Sequence, residues 1–561
     1  MWTWFVELLK GHPDMALFLT LGLGFLIGKL RIGTFTLGSV TGVLIIGVLV
    51  GQTGVKISSD LKTVFFLLFL FAIGYKTGPQ FFRGLKSSGL PQLALTTILC
   101  VTGLGASYAA AKILGFDAGT AAGLVAGAMT ESATVGTATD AINHLPLDPA
   151  ARELLLSNVA VAFAVTYFLG VVTVVVFLSK VGPKLMGVDL ASACAELERE
   201  MGVINEEEGV TSAYHTVSMR AYRLPATFES KTVAELEALF APRRVFIERV
   251  RRGKELLQAE PALMLQAGDG VAVSGRRDVL VAAAKTVEPE EIEDRELLDI
   301  PMLTLDVLVT QKAVIGKTIR EARANTAIRS VFVPKIVRAG EELPLTLNTA
   351  IERGDVVTLS GSKDNVERVA ARMGFADRPG STTDVVPVMI ALFLGSVIGI
   401  PAIAIGKLDI GLSQSVGVLL GGILFGWLRS VRPQLGQVPE AALWIFDSLG
   451  LTVFLAATGI MAGPDFVRGL KESGVSLVIA GILCAMLPHL VAILIGRYVM
   501  KMHPGVLLGV CAGAGTSAPG LAAVQEAARS KIPTLGYGAS YAIGNVFLAL
   551  WGSVMVLLTA G

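Results

Sequence analysis

Cysteine and histidine are scarce in this sequence, and neither is spaced as a disulfide framework or a metal site requires. The four cysteines show no CxxC spacing and lie mostly in apolar stretches, where cysteine behaves as a small hydrophobic residue: Cys100, Cys194, Cys484 and Cys511. His144, His489 and His503 occur singly and are expected to be interfacial or packed. Neither a metal site nor a cofactor is therefore expected.

Charge is scarce as well, and its sign is balanced. Only 17% of the 561 residues are charged against 53% hydrophobic, and the mean hydropathy of +0.65 is too high for a soluble chain of this size. A net charge of +1 gives no reason to expect nucleic-acid binding. A Walker A pattern is missing, and so are paired catalytic carboxylates and a nucleophile with a partner histidine. We expect a gradient-driven or exchange-driven membrane protein and no enzyme.

Apolar runs long enough, or nearly so, to cross about 30 Å of hydrocarbon form two groups of five. The first group is 15–30, 36–55, 61–75, 91–111 and 154–178, and the second is 385–405, 411–428, 441–461, 475–494 and 541–558. No convincing cleavage site ends the first run, so it is interpreted as a retained transmembrane segment. Five crossings per half, an odd number, would invert the second half relative to the first, an arrangement common in secondary transporters.

The two halves also repeat in sequence. The segment from Gly74 to Lys86, with the pattern GxxxGPxFxRGLK, recurs 385 residues later from Gly459 to Lys471. The segment 123–130 matches 509–516 at a spacing of 386, and Asn158 matches Asn545 at 387. Three ordered matches at nearly one spacing predict an internal duplication of the membrane region.

A polar insert separates the halves and is itself duplicated at a spacing of 86 residues. Its acidic clusters at 196–200, 206–208 and 288–296 are unsuited to hydrocarbon. Each copy contains a Lys-Thr pair, a β-branched strand and a Gly-Asp turn, which predicts two small α/β modules. The expected domains are a first membrane repeat (1–181), a linker (182–210), two modules (211–290 and 291–379) and a second membrane repeat (380–561).

The distribution of basic residues favours an external N-terminus and a cytoplasmic insert, following the positive-inside rule. That orientation places ten basic residues inside: Lys29, Arg31, Lys76, Arg83, Lys86, Lys180, Arg429, Arg432, Arg497 and Lys501. It places six outside: Lys56, Lys62, Lys112, Lys407, Arg468 and Lys471.

Two stretches rich in Gly, Ala, Thr and Ser, 118–141 and 505–527, predict paired interruptions of membrane helices. Freed backbone at membrane depth must be buried in protein or line a wet cavity, and half-helix N-termini attract carboxylates. Hydroxyls are expected from Thr130, Ser132, Thr134, Thr516 and Ser517. Anion-binding amides are expected around Gly127, Gly513 and Gly515, with Pro519 among the helix-weakening residues and Asn158 and Asn545 completing the site. Close packing of small residues is the structural alternative, and hydropathy leaves crossing and re-entrant forms open.

Three ionisable residues lie at or near membrane depth, where charge is costly and usually functional. Asp447 lies within an otherwise apolar helix and is a candidate for charge coupling. Lys76 either snorkels to the interface or pairs with a substrate carboxylate. Glu131 adjoins the expected site, where it either tunes the charge or binds a proton, or else lies on an exposed hairpin tip.

Taken together, the GxxxGPxF segments, the paired interruptions and the tandem modules with Gly-Asp turns resemble the aspartate:alanine exchanger family. Residues 17–178 and 387–558 resemble its duplicated membrane unit, and 211–286 and 302–374 resemble C-terminal regulator-of-potassium-conductance (RCK_C) domains. The resemblance implies electrogenic exchange of external L-aspartate for internal L-alanine in a bacterial inner membrane. An elevator-type movement against the scaffold of a homodimer is the expected mechanism.

Two other functions remain open from the sequence. One is an RCK-regulated channel or cation:proton antiporter, although a TVGYG-type filter is missing and the antiporter would rely on Asp447 as proton carrier. The other is a sodium-coupled carboxylate symporter, whose broken helices would look similar. The RCK_C-like modules would either bind a small regulatory ligand or act as a spacer.

Overall fold

The structure is a computed structural model of the 561-residue chain. It describes residues 2–32, 35–85, 89–202, 217–240, 245–276, 279–281, 289–324, 330–338, 340–377, 383–405, 408–411, 413–432 and 437–560. Lys86, Lys407 and the acidic stretch 206–208 lie outside these residues. The chain forms two compact units, one of residues 1–200, 338–344 and 379–561 and the other of residues 201–337 and 345–378.

The first membrane repeat is almost entirely helical. Its helices are α1 (Trp2–Gly11), α2 (Pro13–Gly28), α3 (Ser39–Gly51), α4 (Ser59–Gly84), α5 (Leu90–Leu114), α6 (Ala118–Ala128), α7 (Ala133–Asn143) and α8 (Pro149–Val176). A π-helical turn (Phe177–Val181) and α9 (Gly182–Leu185) extend α8, and α10 (Leu190–Met201) follows. Strands β1 (Arg31–Ile32) and β2 (Phe35–Thr36) pair between α2 and α3.

The modules of the insert contribute short helices α11 (Val233–Ala238), α12 (Arg295–Leu298), α13 (Ile319–Ala324) and α14 (Lys363–Met373). The second membrane repeat then follows the plan of the first. Its helices are α15 (Val385–Gly399), α16 (Gln414–Val431), α17 (Glu440–Trp444), α18 (Gly450–Leu494), α19 (Pro504–Ala514), α20 (Ala518–Ala528) and α21 (Thr534–Thr559). π-helical turns occur at Ile445–Leu449 and Ile495–Val499.

The protein is a multi-pass membrane protein, and each expected crossing coincides with helix. Among the described residues seven helical stretches are long and apolar enough to span a bilayer, or eight with the bent pair α1–α2, and α3, α6, α15 and α19 are shorter apolar helices. Several boundaries of these runs are wrong, because the runs extend into short strands. The expected run 385–405 ends as helix at Gly399, because β15 (Ala402–Ile405) pairs with β16 (Leu408–Gly411). This hairpin corresponds to β1–β2 of the first repeat.

The repeated GxxxG segments are where the two repeats interlock. Gly74 and Gly78 of α4 face Gly422 and Gly426 of α16, and a Cβ on Gly422 would lie 2.6 Å from the Phe71 carbonyl oxygen.

The equivalent seam joins the other two helices. Gly459 and Gly463 of α18 face Gly47 and Gly51 of α3, and a Cβ on Gly463 would lie 2.6 Å from Gly51 Cα. Small residues at this spacing let helix backbones approach closely in a membrane. Each half therefore packs its GxxxGP helix on the other half.

The insert contains two modules with the same sheet topology. The first sheet has the order β6-β5-β8-β3-β9 and the second β12-β11-β13-β10-β14. The strands of the first module are β3 (Val217–Arg223), β4 (Lys231–Thr232), β5 (Val245–Arg252), β6 (Glu255–Gln258), β7 (Met264–Leu265), β8 (Gly270–Arg276) and β9 (Glu290–Glu291). Those of the second are β10 (Met302–Val309), β11 (Val331–Arg338), β12 (Glu341–Glu342), β13 (Val356–Ser362) and β14 (Gly374–Asp377).

The duplicated sequence signals of the modules have matching local geometry. The Lys-Thr pairs place Thr232 and Thr318 at helix N-termini, where each threonine exchanges hydrogen bonds with the glutamate three residues on. The Gly-Asp turns place Gly268 and Gly354 at φ of +86° and +84°, where glycine is favoured. Both features are therefore structural.

The expected boundary between the modules, at 290/291, divides a strand of the first module. Strand β9 pairs with β3, and Leu297 is buried against Ala221 and Ala272. The apolar side chains of 292–300 complete the core of the first module, so that module extends to about residue 300.

Candidate functional site

Each of the two interrupted segments ends its first helix in the same backbone motif. After α6, Thr130 donates its N–H to Gly127 O at 3.1 Å, and Glu131 donates to Ala126 O at 2.9 Å. After α19 the equivalent bonds, to Gly513 O and Ala512 O, are both 2.9 Å. This pair of bonds is a Schellman motif, which needs a left-handed residue. Thr130 and Thr516 supply it, at φ of +54° and +51°.

The left-handed threonines are unusual because a β-branched residue is strained in this conformation. The same strain at matching positions of two repeats marks these tips as candidates for function. We call 129–132 the first tip and 515–517 the second tip. The sequence predicts that glycine and Pro519 interrupt the helices, but Pro519 lies in the first turn of α20, where proline is well tolerated.

The structure brings the two tips together. Thr130 Oγ1 donates to the carbonyl of Gly515 at 3.0 Å, and the Cys100 thiol donates to the neighbouring Ala514 carbonyl at 3.7 Å. Helix α7 packs on α21, where the hydroxyls of Thr134 and Thr137 donate to Leu548 O and Ala549 O at 2.7 and 2.6 Å. The hydroxyl proton of Thr134 is thus used within the protein.

Helix directions show what kind of interruption the first tip is. Helix α6 runs alongside α8 in the same direction, since Gly119 meets Leu155 and Gly127 meets Tyr167. It runs against α5, because its end at Met129 lies beside Gly103. Helix α7 follows α21, which runs with α5 through the contacts Gln92–Leu535 and Cys100–Trp551. Helices α6 and α7 therefore run in opposite directions, the geometry of a re-entrant hairpin.

Glu131 is a buried carboxyl group of the site. It is 3% exposed, and its Oε1 accepts the N–H of Ala133 at 2.9 Å in the first turn of α7. The Thr516 hydroxyl of the second tip lies beside the same carboxylate. The exposed-tip alternative for Glu131 is therefore wrong. At the second tip Ser517, 1% exposed, accepts from Gly520 N at 3.1 Å. Ser132 is also buried, at 5% exposed.

The three glycine amides proposed as anion donors are not available. Gly127 and Gly513 lie inside α6 and α19, and Gly515 N donates to Cys511 O at 3.1 Å. The first two glycines instead allow close helix packing, since a Cβ would lie 2.7 Å from Tyr167 N at Gly127 and 2.6 Å from Tyr537 O at Gly513. Their small size serves packing, the alternative that the sequence left open.

The pairing of Asn158 with Asn545 is also corrected by the contacts. Gly127 faces Tyr167 and Gly170, and Gly513 faces Tyr541 and Gly544, so these helices correspond at a spacing of 374 residues and not 387. The two asparagines therefore occupy different places, described next.

Asn158 donates to Asp117 at 3.0 Å, beside the N-terminus of α6 and away from the tips. Asn545 is 3% exposed, donates to Tyr541 O at 2.7 Å, and follows Gly544, which contacts the last turn of α19. Asn545 thus remains a candidate for the site, and Asn158 does not.

Lys76 and Asp447 pair with each other. Lys76 Nζ lies 2.5 Å from Asp447 Oδ2, and their side chains are 38% and 32% exposed. Asp447 lies in a π-helical turn, a distortion frequent at functional sites. Tyr541 lies within electrostatic range of both Asp447 and Glu131, so the ion pair belongs to the same region as the tips.

Sequence reasoning missed two further groups. Asp140 accepts the hydroxyl of Ser415 from α16 and lies within electrostatic range of Lys62. Lys62, expected on the external side at the start of the run 61–75, is only 8% exposed and lies 5.9 Å from the centre of the Phe454 ring. Charged residues inside apolar segments were the available signal. No cluster of metal-ligating side chains occurs in the part of the chain that the structure describes.

The sequence predicts that His489 is interfacial or packed, and no residue pattern links it to the tips. It is 1% exposed and lies against Gly515 of the second tip. Its contact depends on the tertiary approach of α18 to α19, which no local signal in the sequence encodes.

Comparison with known proteins shows that this chain is similar to membrane transporters. A family model described as a predicted permease membrane region matches residues 16–183 and 387–557, and a TrkA-C domain model matches 305–374. An uncharacterized transporter of Shewanella oneidensis is 40% identical over 99% of both chains.

Two further relatives match this chain over nearly its full length. Uncharacterized transporters of Bradyrhizobium diazoefficiens and Bordetella parapertussis are 40% and 37% identical, over 92% and 98% of this chain and 100% and 97% of theirs. No solved structure matches significantly.

Proposed function

Because the chain belongs to the aspartate-alanine exchanger family of membrane transporters, we propose that it exchanges L-aspartate for L-alanine electrogenically by alternating access. The observation that carries the proposal is the junction of the two tips, where Thr130 Oγ1 bonds to Gly515 O at 3.0 Å. Paired half-helices that meet in this way are typical of substrate sites near the bilayer midplane.

The charges at the junction suit an amino acid. The N-terminus of α20 begins at Ser517 and favours a substrate carboxylate, since helix N-termini carry partial positive charge. The buried carboxylate of Glu131 favours the substrate α-ammonium group. Both groups are shared by aspartate and alanine, so neither distinguishes the two substrates.

Lys76 is the residue we assign to that distinction. Aspartate carries a second carboxylate, and Lys76 binds this group after it separates from Asp447. The side chain of Asp447 is about one-third exposed, so the ion pair is accessible to the substrate. Lys76→Met should raise KM for aspartate about tenfold or more, the loss of one charge-assisted bond, and leave KM for alanine within about twofold. Lys76→Arg is the conservative control. Equal increases for both substrates would argue against this assignment.

The movement we propose is an elevator in which the two hairpins slide against a scaffold built on the α3–α18 and α4–α16 seams, in a homodimer within the bacterial inner membrane. The insert then lies in the cytoplasm. Ser415 on α16 contacts Asp140 on α7, across the sliding surface. A disulfide between Asp140→Cys and Ser415→Cys should therefore stop exchange, and reduction should restore it. Full activity after cross-linking, with each single variant as control, would exclude the movement.

The direct test is uptake of labelled L-aspartate into proteoliposomes preloaded with L-alanine. Uptake that needs internal alanine, builds up an internal negative potential and ignores sodium supports the exchanger. Uptake into empty vesicles that needs sodium would instead indicate a symporter. Proton-coupled cation flux without amino-acid uptake would indicate an antiporter.

A further inference from the structure

Each tip packs against a long helix that precedes it in its own repeat, α5 for the first tip and α18 for the second. At both contacts a large side chain packs against a glycine, but the tip supplies the large side chain in one repeat and the helix supplies it in the other. In the first repeat the tip supplies the large side chain, and a Cβ on Gly103 of α5 would lie 2.8 Å from Met129 Sδ. In the second repeat the helix supplies it, and a Cβ on Gly515 would lie 2.9 Å from His489 Nε2. An apolar thioether in one repeat is thus replaced by a buried imidazole in the other.

The bonding of His489 restricts its protonation states. Nδ1 lies 2.7 Å from the Ala485 carbonyl, and a carbonyl oxygen can only accept, so Nδ1 carries a proton. In the neutral ring, Nε2 is then a bare acceptor. It faces the last turn of α19, where the Cys511 carbonyl lies, and makes no hydrogen bond of good geometry with the described residues. Two such acceptors do not bind each other, whereas a protonated Nε2 would donate to the carbonyl.

We propose that His489 is a positioning residue of the second tip, whose Nε2 donates to the Cys511 carbonyl when the ring is protonated and so holds Gly515 and Thr516 in place. Deprotonation removes this bond and loosens the tip. The inference rests on the proposed function, in which this tip forms part of the amino-acid site. It makes the rate of exchange depend on pH on the acidic side of neutral, where a buried imidazole gains its second proton.

The other titratable groups near the second tip differ from His489 in kind. Cys511 lies on α19, Cys100 on α5 donates to Ala514 O, and Cys484 lies on the same helix as His489. Thiols remain protonated below about pH 8. The carboxyl group of Glu131, at the first tip, lies within electrostatic range of Cys100 and beside the Thr516 hydroxyl of the second tip. Because all four groups are kept in the variants below, a comparison with the unmodified protein isolates the imidazole.

The first repeat supplies the variant that tests the proposal. Combining His489→Gly with Gly515→Met transfers the Gly103–Met129 pair into the second repeat, which retains the packing and removes the imidazole. His489→Gln is the second variant, since it keeps most of the volume and cannot be protonated. Neither substitution changes the first tip, whose peptide 124–136 is the internal control.

Amide hydrogen exchange of the full chain in nanodiscs is the measurement, at pH 5.5 and 7.5, with times corrected for intrinsic chemical exchange. The unmodified protein should protect the amides of 515–517 about tenfold more at pH 5.5, the effect of one charge-assisted hydrogen bond. Both variants should lose this difference, and the control peptide, which contains Glu131, should respond to pH alike in all three proteins. A difference as large in either variant as in the unmodified protein would overturn the proposal.

Transport then separates this inference from the proposed function. If labelled aspartate is exchanged, the pH profile of the exchange rate in the unmodified protein should contain a titration step that is missing from the profiles of both variants. If aspartate is not exchanged, the proposed function fails, whereas the amide measurement still decides the role of His489.

Discussion

The seam between α4 and α16 makes a quantitative prediction for Gly422→Ala. A Cβ on Gly422 would lie 2.6 Å from Phe71 O, 3.1 Å from Phe71 Cα and 3.2 Å from Gly74 Cα. All three atoms belong to backbone, so no side chain can rotate to relieve the overlap. The two helices must separate by about half an ångström to one ångström before ordinary contact at about 3.5 Å is restored.

The cost follows from what this separation disrupts. Adding a methylene-sized group to a packed core costs about 1–3 kcal/mol, and Gly422→Ala should be near the upper end because rigid backbones meet. On the scale of about 2–4 °C per kcal/mol found for domains of 150–250 residues, the unfolding midpoint should fall by several degrees. Gly463→Ala, in the second seam, should act similarly, since Gly51 Cα lies 2.6 Å from the added atom.

Thermal unfolding of the purified protein in detergent, followed by loss of the monodisperse peak in size-exclusion chromatography, is the assay. Gly22→Ala and Gly105→Ala are the matched controls, because these glycines lie within helices and, apart from the adjacent residues and the helix's own backbone, no atom lies within 4 Å of an added Cβ. Alanine is the better helix former by up to about 1 kcal/mol, so the controls should be neutral or stabilised. A seam variant as stable as its controls would refute the packing argument.

Two further predictions concern the first module of the insert. Asp269, which is 3% exposed, accepts hydrogen bonds from Arg252 Nε and Nη2 at 3.0 and 2.7 Å and raises the pKa of Arg252. Asp269→Asn should lower the free energy of unfolding by about 2–3 kcal/mol, which is less than the loss of a fully buried pair would cost, because Arg252 is one-third exposed. The substitution should also speed amide exchange in 264–276. Burial opposes ionisation of Asp294, but Arg251 and the Leu297 N–H outweigh it and lower the pKa of Asp294. Its stabilisation is therefore present above about pH 4 and lost as the pH falls through the lowered pKa, and Asp294→Asn should remove this acid-dependent loss of amide protection in 289–300. An unchanged acid response would contradict that reasoning.

Much of the fold could be predicted because its signals are local or repeated. Each of the ten apolar runs found from hydropathy coincides with helix, and fixed spacings in sequence revealed both duplications. The Lys-Thr pairs and Gly-Asp turns were visible because capping and left-handed turns require particular residue types at particular positions. The boundary errors fall where short strands, such as β15 and β9, follow apolar or acidic runs that carry no strand periodicity.

The site was harder to predict because it depends on contacts between distant segments. The paired interruptions were found, but the left-handed residues are threonines, which sequence rules do not place there. The match of Asn158 with Asn545 is a coincidence of sequence, because α8 begins well before the point that corresponds to the start of α21. The residues that correspond in the structure are Tyr167 with Tyr541 and Gly170 with Gly544, a weaker match in sequence. The Lys76–Asp447 pair joins residues from different repeats, whose proximity only the interlocked seams produce.

Those seams also set an order of events during synthesis. Gly78 leaves the ribosome about 350 residues before Gly426, its partner across the α4–α16 seam. At about 5–20 residues per second, the first half waits roughly 20–70 seconds in the membrane with its glycine-lined faces unmatched. Neither half can reach its final packing alone, so the membrane region is assembled only after the insert has been translated.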